Sequence, residues 1–355
     1  MPGKQRMGVG WPLLELFLAP GGRTATIILS LPFTPSFHSA CEENHLMRSP
    51  ALAITLLLAV TSATASAEEA QPKPIPGIGP AGPIQKLYGD FQFTEGPASD
   101  GQGNLYFTDI PAEKIYMASP EGKLSVFLEN SKNINGLMLN KDGVLYGCEM
   151  QGRLVAIDPK TMKITVLSDG YEGNRYNAPN DLVIDKTGGV YFTDPHFRAP
   201  MPLPQKETAV YYRAADGKVT RLTTEPKAPN GVILSPDEKT LYVVPSLEKK
   251  MYKYEIKSPG ELGKAQVFCE LKQAQEGDDR GGDGLTIDAK GNLYITSGLG
   301  LQVFSPGGKL LGIIPFPEQP SNATFGGKDN KTLYVTARTG LYACEMEVPG
   351  HVFAK

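Results

Sequence analysis

The sequence predicts an all-β fold, a six-bladed β-propeller. Three observations carry this: a tyrosine-centred strand that recurs six times, a tight turn before each copy, and one oxygen-bearing residue at a nearly fixed distance upstream of each tyrosine. The six strands read Asn104-Leu-Tyr106-Phe-Thr-Asp, Val144-Leu-Tyr146-Gly, Gly189-Val-Tyr191-Phe-Thr-Asp, Thr240-Leu-Tyr242-Val-Val, Asn292-Leu-Tyr294-Ile-Thr and Thr332-Leu-Tyr334-Val-Thr. Successive tyrosines lie 40, 45, 51, 52 and 40 residues apart, a period that marks propellers or solenoid arrays. β-branched and aromatic residues fill each copy, so the units are strands rather than helix pairs.

Each strand follows a turn rich in Gly, Asp and Asn, such as Asp100-Gly-Gln-Gly, Lys186-Thr-Gly-Gly and Ala289-Lys-Gly. These residues supply the positive φ that tight hairpins need. Before each turn lies a short apolar strand, for example Leu182-Val-Ile184 or Leu285-Thr-Ile287. Stacking such sheets radially buries both faces of every blade. Residues near Ile84 to Tyr88 are expected to close the ring by completing the last blade.

Composition agrees. The 355 residues carry a formal charge of −3 and 41% hydrophobic residues, enough for a large core. Gly (39) and Pro (30) together make up roughly a fifth of the chain, as many short turns require. No basic patch points to nucleic acid.

The N-terminus reads differently. Met47-Arg48-Ser49-Pro50, the apolar run Ala51 to Val60 and the ending Ala65-x-Ala67 describe a signal peptide over 47–67, cut after Ala67. The run is too short to span a bilayer. The exported chain would reside in the periplasm or outside the cell, without a membrane anchor. Residues 1–46 precede this signal and read as a start-site artefact, or alternatively as a leader. Residues 68–84, rich in Pro, Gly and Ala, read as a flexible lead-in, and 85–355 as the propeller. The exported part holds Cys148, Cys269 and Cys344; an odd number allows at most one disulfide within the chain, and each suits a small buried position.

Counting back from the tyrosines reaches Glu95, Asn135, Asn180, Asn230, Asp283 and Asn322, at offsets of 11, 11, 11, 12, 11 and 12. The two longer offsets belong to the blades with one extra turn residue. A shared offset means a shared place in the blade, at one mouth of the central channel. Five of the six are followed by Gly or Ala; Asn180 is followed by Asp181. Asn and Asp also cap strand starts through local hydrogen bonds, but capping does not explain two full carboxylates brought together without a counter-ion. A divalent cation does. The oxygen-only set points to Ca²⁺ first, with Mg²⁺ or Mn²⁺ as alternatives, and disfavours Zn²⁺.

These motifs resemble the gluconolactonases, grouped with senescence marker protein (regucalcin) and luciferin-regenerating enzyme. The resemblance rests on Phe93-Thr-Glu-Gly-Pro97, Arg175-Tyr-Asn-Ala-Pro-Asn-Asp181, Tyr191-Phe-Thr-Asp-Pro195, Ala228-Pro-Asn-Gly-Val232, Gly282-Asp-Gly-Leu285 and Asn322-Ala-Thr-Phe-Gly-Gly327. It implies a six-bladed propeller with a divalent ion in the channel. It implies Glu95, Asn180, Asn230 and Asp283 as metal ligands, with Asp283 also the catalytic acid or base. Asn135 and Asn322 match less directly and are expected beside the metal shell or against substrate. Arg175 and Asn177 are expected over the substrate. His196, where many relatives have proline, is expected at the rim, where an imidazole could shuttle protons; an ordinary loop histidine is the alternative. The implied reaction is hydrolysis of a lactone, a sugar aldonolactone first. Two alternatives stand beside it: a phosphotriester or other ester hydrolase on the same site, and a non-enzymatic propeller that binds calcium or sugar. No Gly-x-Ser-x-Gly motif supports a serine nucleophile.

Overall fold

In the computed structural model, residues 72–353 are described. The signal peptide at 47–67, the segment 1–46 and the first residues of the lead-in lie outside them. Six antiparallel sheets form six blades. The innermost strands are Thr94–Ser99, Ile134–Leu139, Leu182–Ile184, Pro229–Leu234, Leu285–Ile287 and Pro320–Gly326. Each neighbours the next, and the sixth returns to the first, so they enclose a channel. The tyrosine strands are second in each blade and the outermost strands are the most exposed, as in Ile164–Ser168. Blade four carries one extra short strand, Glu261–Leu262, beside its fourth strand Gln266–Glu270. Among the described residues there is no α-helix, only a 3₁₀ turn at Lys328–Asn330.

The turns form for a local reason. An Asp, Asn or Ser at the start of the hairpin caps the backbone of its own turn. Asp100 Oδ1 accepts from the amides of Gln102 (2.8 Å) and Asn104 (3.0 Å). Asp185 and Asp288 do the same in blades three and five, and Asn140 in blade two. Alternating apolar residues then pack between blades. Tyr191, Tyr211, Tyr254 and Tyr294 are fully buried there; Tyr294 meets Phe325 edge-on at 5.3 Å and Tyr211 stacks on Phe192 at 5.4 Å. Cys148, Cys269 and Cys344 are free and buried.

The ring closes as expected. Gln85–Tyr88 adds to the outer edge of blade six, pairing Gln85 with Ala343 and Lys86 with Tyr342. The lead-in differs from its expectation over 72–84. Ile75 and Ile78 are buried against blades five and six. Backbone bonds from Ala81 to Glu345 O (2.7 Å) and from Glu347 to Ile78 O (3.0 Å) hold the segment down. Two isoleucines among the prolines supply apolar area that a purely flexible linker lacks. At the other end of the chain, His351 to Phe353 lie against the channel opening opposite the cavity that Glu95 and Asp283 line; the His351 amide donates to Ile287 O (3.0 Å).

Candidate functional site

Three devices build the site out of the innermost strands. First, the ladder is irregular where the ring residues sit. Register shifts fall between Glu95 and Ala98, Ile134 and Leu137, Pro229 and Val232, and Pro320 and Asn322. In blades three and five the regular strand starts only after Asn180 and Asp283. Such bulges re-aim side chains away from the sheet. Second, the small residue after five of the six ring positions lets the next blade come close. A Cβ on Gly96 (φ +48°) would overlap the Asn135 carbonyl, and one on Gly284 would overlap the Asn322 side chain. Third, buried threonines two residues past the blade tyrosines tie neighbouring blades together. Thr108 donates to Asn135 O (3.1 Å) and Thr193 to Asn230 O (2.7 Å). In blades one and three the next residue, Asp109 or Asp194, accepts two amides of the segment leading into the ring position: Gln92 and Phe93 in one, Asn177 and Ala178 in the other.

The result is a cavity of about 450 Å³ at one end of the channel. Glu95, Asn135, Asn180, Asn230 and Asp283 all line it. Asn230 is held on both sides: its amide nitrogen donates to Asp283 Oδ1 (2.5 Å) and to Ser246 Oγ (3.0 Å). Ser246 in turn donates to Gly282 O (3.0 Å). With its NH₂ committed, Asn230 has its amide oxygen left for a ligand. Glu95 Oε2 accepts the Gly96 amide (2.9 Å). The Asn135 Oδ1 atom is buried and has no hydrogen-bond partner, a costly arrangement for a polar atom that nothing else satisfies.

Electrostatics point the same way. Burial pushes the Glu95 carboxyl well above its ordinary value, and the nearby charges of Asp283 and Asp181 add to the shift. Burial raises Asp283 to about 6, against the pull of the Asn230 hydrogen bond. Burial raises Asp181 to about 7, partly offset by the Leu182 amide on its Oδ1. Carboxylates shifted upward together lack a positive partner. Among the described residues no three His, Cys, Asp or Glu side chains are grouped to hold a metal. A cation here would therefore depend on amide oxygens beside Glu95 and Asp283. An unpartnered amide oxygen and two carboxylates that repel are what such a hard-oxygen shell requires.

Three expected substrate contacts fall elsewhere, and Asn322 sits beside Glu95 rather than in the cavity. Asn322 lies beneath the cavity floor, lining a second cavity of about 420 Å³ at the opposite end of the channel. There its amide favours the charged forms of both Glu95 and Asp181. Arg175 does not line the ligand cavity: its guanidinium folds back onto the carbonyls of Tyr176 (2.9 Å) and Asn177 (3.0 Å). Asn177 is fully buried and spends its amide on Glu207 O (2.8 Å) and the Gln205 amide (2.9 Å). Both residues build the loop that carries Asn180, and the expected substrate contact is corrected to that role. His196 is exposed, packs its ring on Phe197 (5.0 Å) and does not line the cavity. Its neighbours Phe197 and Arg198 do.

Other residues emerge only from the folded chain. Asp181 stands one position past Asn180, where the other blades carry Gly or Ala; that exception was the signal for a buried acid beneath the ring. Phe93, Ile110, Met150, Ser246, Arg280 and Gln319 join the lining. Arg338, over the Phe93 ring at 5.3 Å, holds Gln319 (2.8 Å) and lowers Asp283 slightly.

Comparison with known proteins agrees with this geometry. Residues 93–339 match the SMP-30/Gluconolactonase/LRE-like region. A gluconolactonase from Zymomonas mobilis subsp. mobilis is 32% identical over 282 residues, 72% of this chain and 79% of that protein. The diisopropyl-fluorophosphatase of Loligo vulgaris is 27% identical over 296 residues, 74% and 90% of the two chains. The solved structure of a gluconolactonase from Xanthomonas campestris superposes with a TM-score of 0.68 at 29% identity, covering 74% of this chain and 89% of that one. With its six blades, its ring of oxygen donors and a match that runs from the first blade into the last, the chain belongs to the SMP-30/gluconolactonase/LRE-like family.

Proposed function

We propose that this protein is a lactonase that opens the lactone ring by hydrolysis on the floor of the cavity. The observation that carries the reading is the meeting of Glu95 and Asp283 on a buried floor beside the unpartnered amide oxygen of Asn135. Glu95, Asn180, Asn230 and Asp283 would hold a divalent cation, Ca²⁺ first, and a cation so held supplies a Lewis acid for the ring carbonyl. Asp283 takes a proton from the attacking water as the new C–O bond forms. It returns that proton to the alkoxide released when the ring C–O bond breaks. Asn230 fixes Asp283 for this task, and Ser246 fixes Asn230.

The relatives support a lactone or ester substrate, and gluconolactonases are prominent among them. The second reading, hydrolysis of a phosphotriester on the same floor, is favoured by the likeness to diisopropyl-fluorophosphatase. A propeller that only binds calcium or sugar would melt at a higher temperature with cation yet turn over no ester. Export through residues 47–67 would place the site in the periplasm or outside the cell.

Acid release from a panel of lactones, followed at constant pH with the uncatalysed rate subtracted, tests the reading. Turnover with Ca²⁺ is expected, and Asp283→Ala should cut it by about 10²- to 10⁴-fold. Turnover that survives both chelation and Asp283→Ala would overturn it.

A further inference from the structure

We infer that the lactone this site takes carries an apolar body rather than a hydroxyl on nearly every ring carbon. This rests on the lactonase reading and narrows it. Above the floor, the cavity has one continuous apolar wall. Phe93, Ile110, Met150 and Phe197 line it and pack on one another around the buried Ala178. They come from blades one, two and three: Phe93 just before the first ring position, and the others just past the tyrosine strands. The Phe93 ring is braced from behind by Arg338.

The opposite side looks polar by residue type, but its buried groups are already occupied. Ser246 donates to Gly282 O and accepts from Asn230. Ser297 Oγ donates to Gly300 O (2.9 Å) and accepts from Leu299 and Gln302. Gln319 Oε1 accepts from Arg338. Arg198 and Arg280 stand at the rim and are exposed, where water can serve them. The buried polar groups still free are those of the floor, and the carbonyl end of the substrate needs these; Gln319 Nε2, like the two arginines, is exposed to water. A sugar lactone seated here would bury hydroxyls against the wall without partners, which costs free energy for each one. An alkyl chain or fused ring at the same place would leave water for apolar surface. A pocket that must strip water from unpaired hydroxyls discriminates against them.

The test uses three δ-lactones that all release a secondary alcohol: δ-decalactone, δ-hexalactone and glucono-δ-lactone. The kcat/KM of each with Ca²⁺ is divided by its own rate of alkaline hydrolysis. The normalised value for δ-decalactone should exceed those of both others by about tenfold or more. Phe197→Ser and Met150→Gln, each checked for an intact thermal transition, should lower the ratio of δ-decalactone to δ-hexalactone by about tenfold, chiefly through KM. A normalised preference for glucono-δ-lactone overturns the inference while leaving the lactonase reading intact. So does a ratio that neither variant changes. If none of the three is turned over, the lactonase reading falls and this inference falls with it.

Discussion

Two carboxylate clusters in this molecule behave in opposite ways. On the cavity floor, burial raises Glu95 well above its ordinary value and Asp283 to about 6, and just beneath it Asp181 to about 7. At the seam where the ring closes, Glu318 is also partly buried, and burial alone would raise it too. Instead it is held at about 2, because the hydrogen bonds it accepts outweigh that cost. Its Oε1 accepts from Lys86 Nζ (2.8 Å) and the Tyr342 hydroxyl (2.7 Å), and its Oε2 from the Thr339 amide (2.8 Å) and hydroxyl (2.7 Å). Lys86 lies on the closing strand, and Tyr342 and Thr339 on blade six. The seam acid finds its charge partner inside the chain. Among the described residues the floor acids form no ion pair, Arg338 only partly offsetting the rise of Asp283, and a group arriving from outside would complete them. One chemical group thus serves as a clasp in one place and is left unpaired in the other.

This contrast can be broken in three ways. The largest expected effect is on the floor. Chelation of divalent cations should abolish turnover and lower the melting temperature, and Ca²⁺ at a hundredfold excess over its Kd should restore about 2.7 kcal/mol of stability. A melting temperature indifferent to cation would mean that the floor acids are satisfied in some other way.

The seam comes next. Glu318→Ala removes an acceptor from several donors and is expected to cost roughly 1.5–3 kcal/mol, read from denaturant melts. The pH dependence has a definite sign. Glu318 drops from an ordinary 4.5 to about 2 in the folded chain. Its contribution is therefore fully present above pH 4.5 and is lost as pH falls toward 2. The acid limb of stability should flatten in the variant over that window; an unchanged limb would remove Glu318 from the clasp. The smallest effect belongs to Asn135. Asn135→Ala should weaken cation binding by about tenfold, yet leave the cation-free melting temperature within about a degree, because the lost oxygen had no partner. A large drop in the cation-free form would show that Asn135 supports the fold rather than the ligand.

The sequence determined more than the fold class. The blade count, the closing strand and the ring from Glu95 to Asn322 all follow from one period and one offset, because every blade reuses the same local geometry. The glycines after the ring positions were legible as a pattern; their reason, the close approach of the next blade, is tertiary. Arg175 and Asn177 show where linear reasoning stops. They sit beside Asn180 in sequence, but Arg175 turns onto its own loop's backbone and Asn177 onto the backbone of Gln205 and Glu207. His196 likewise yields the cavity to Phe197.

Which ring members share the cavity, and which one drops beneath the floor, was likewise decided in three dimensions. So were the apolar wall, assembled from loops of three blades, and the packing of Ile75 and Ile78 onto the last two. Repetition writes into sequence what each blade does by itself. Contacts between blades depend on side chains far apart in the chain, and only closure of the ring brings those together.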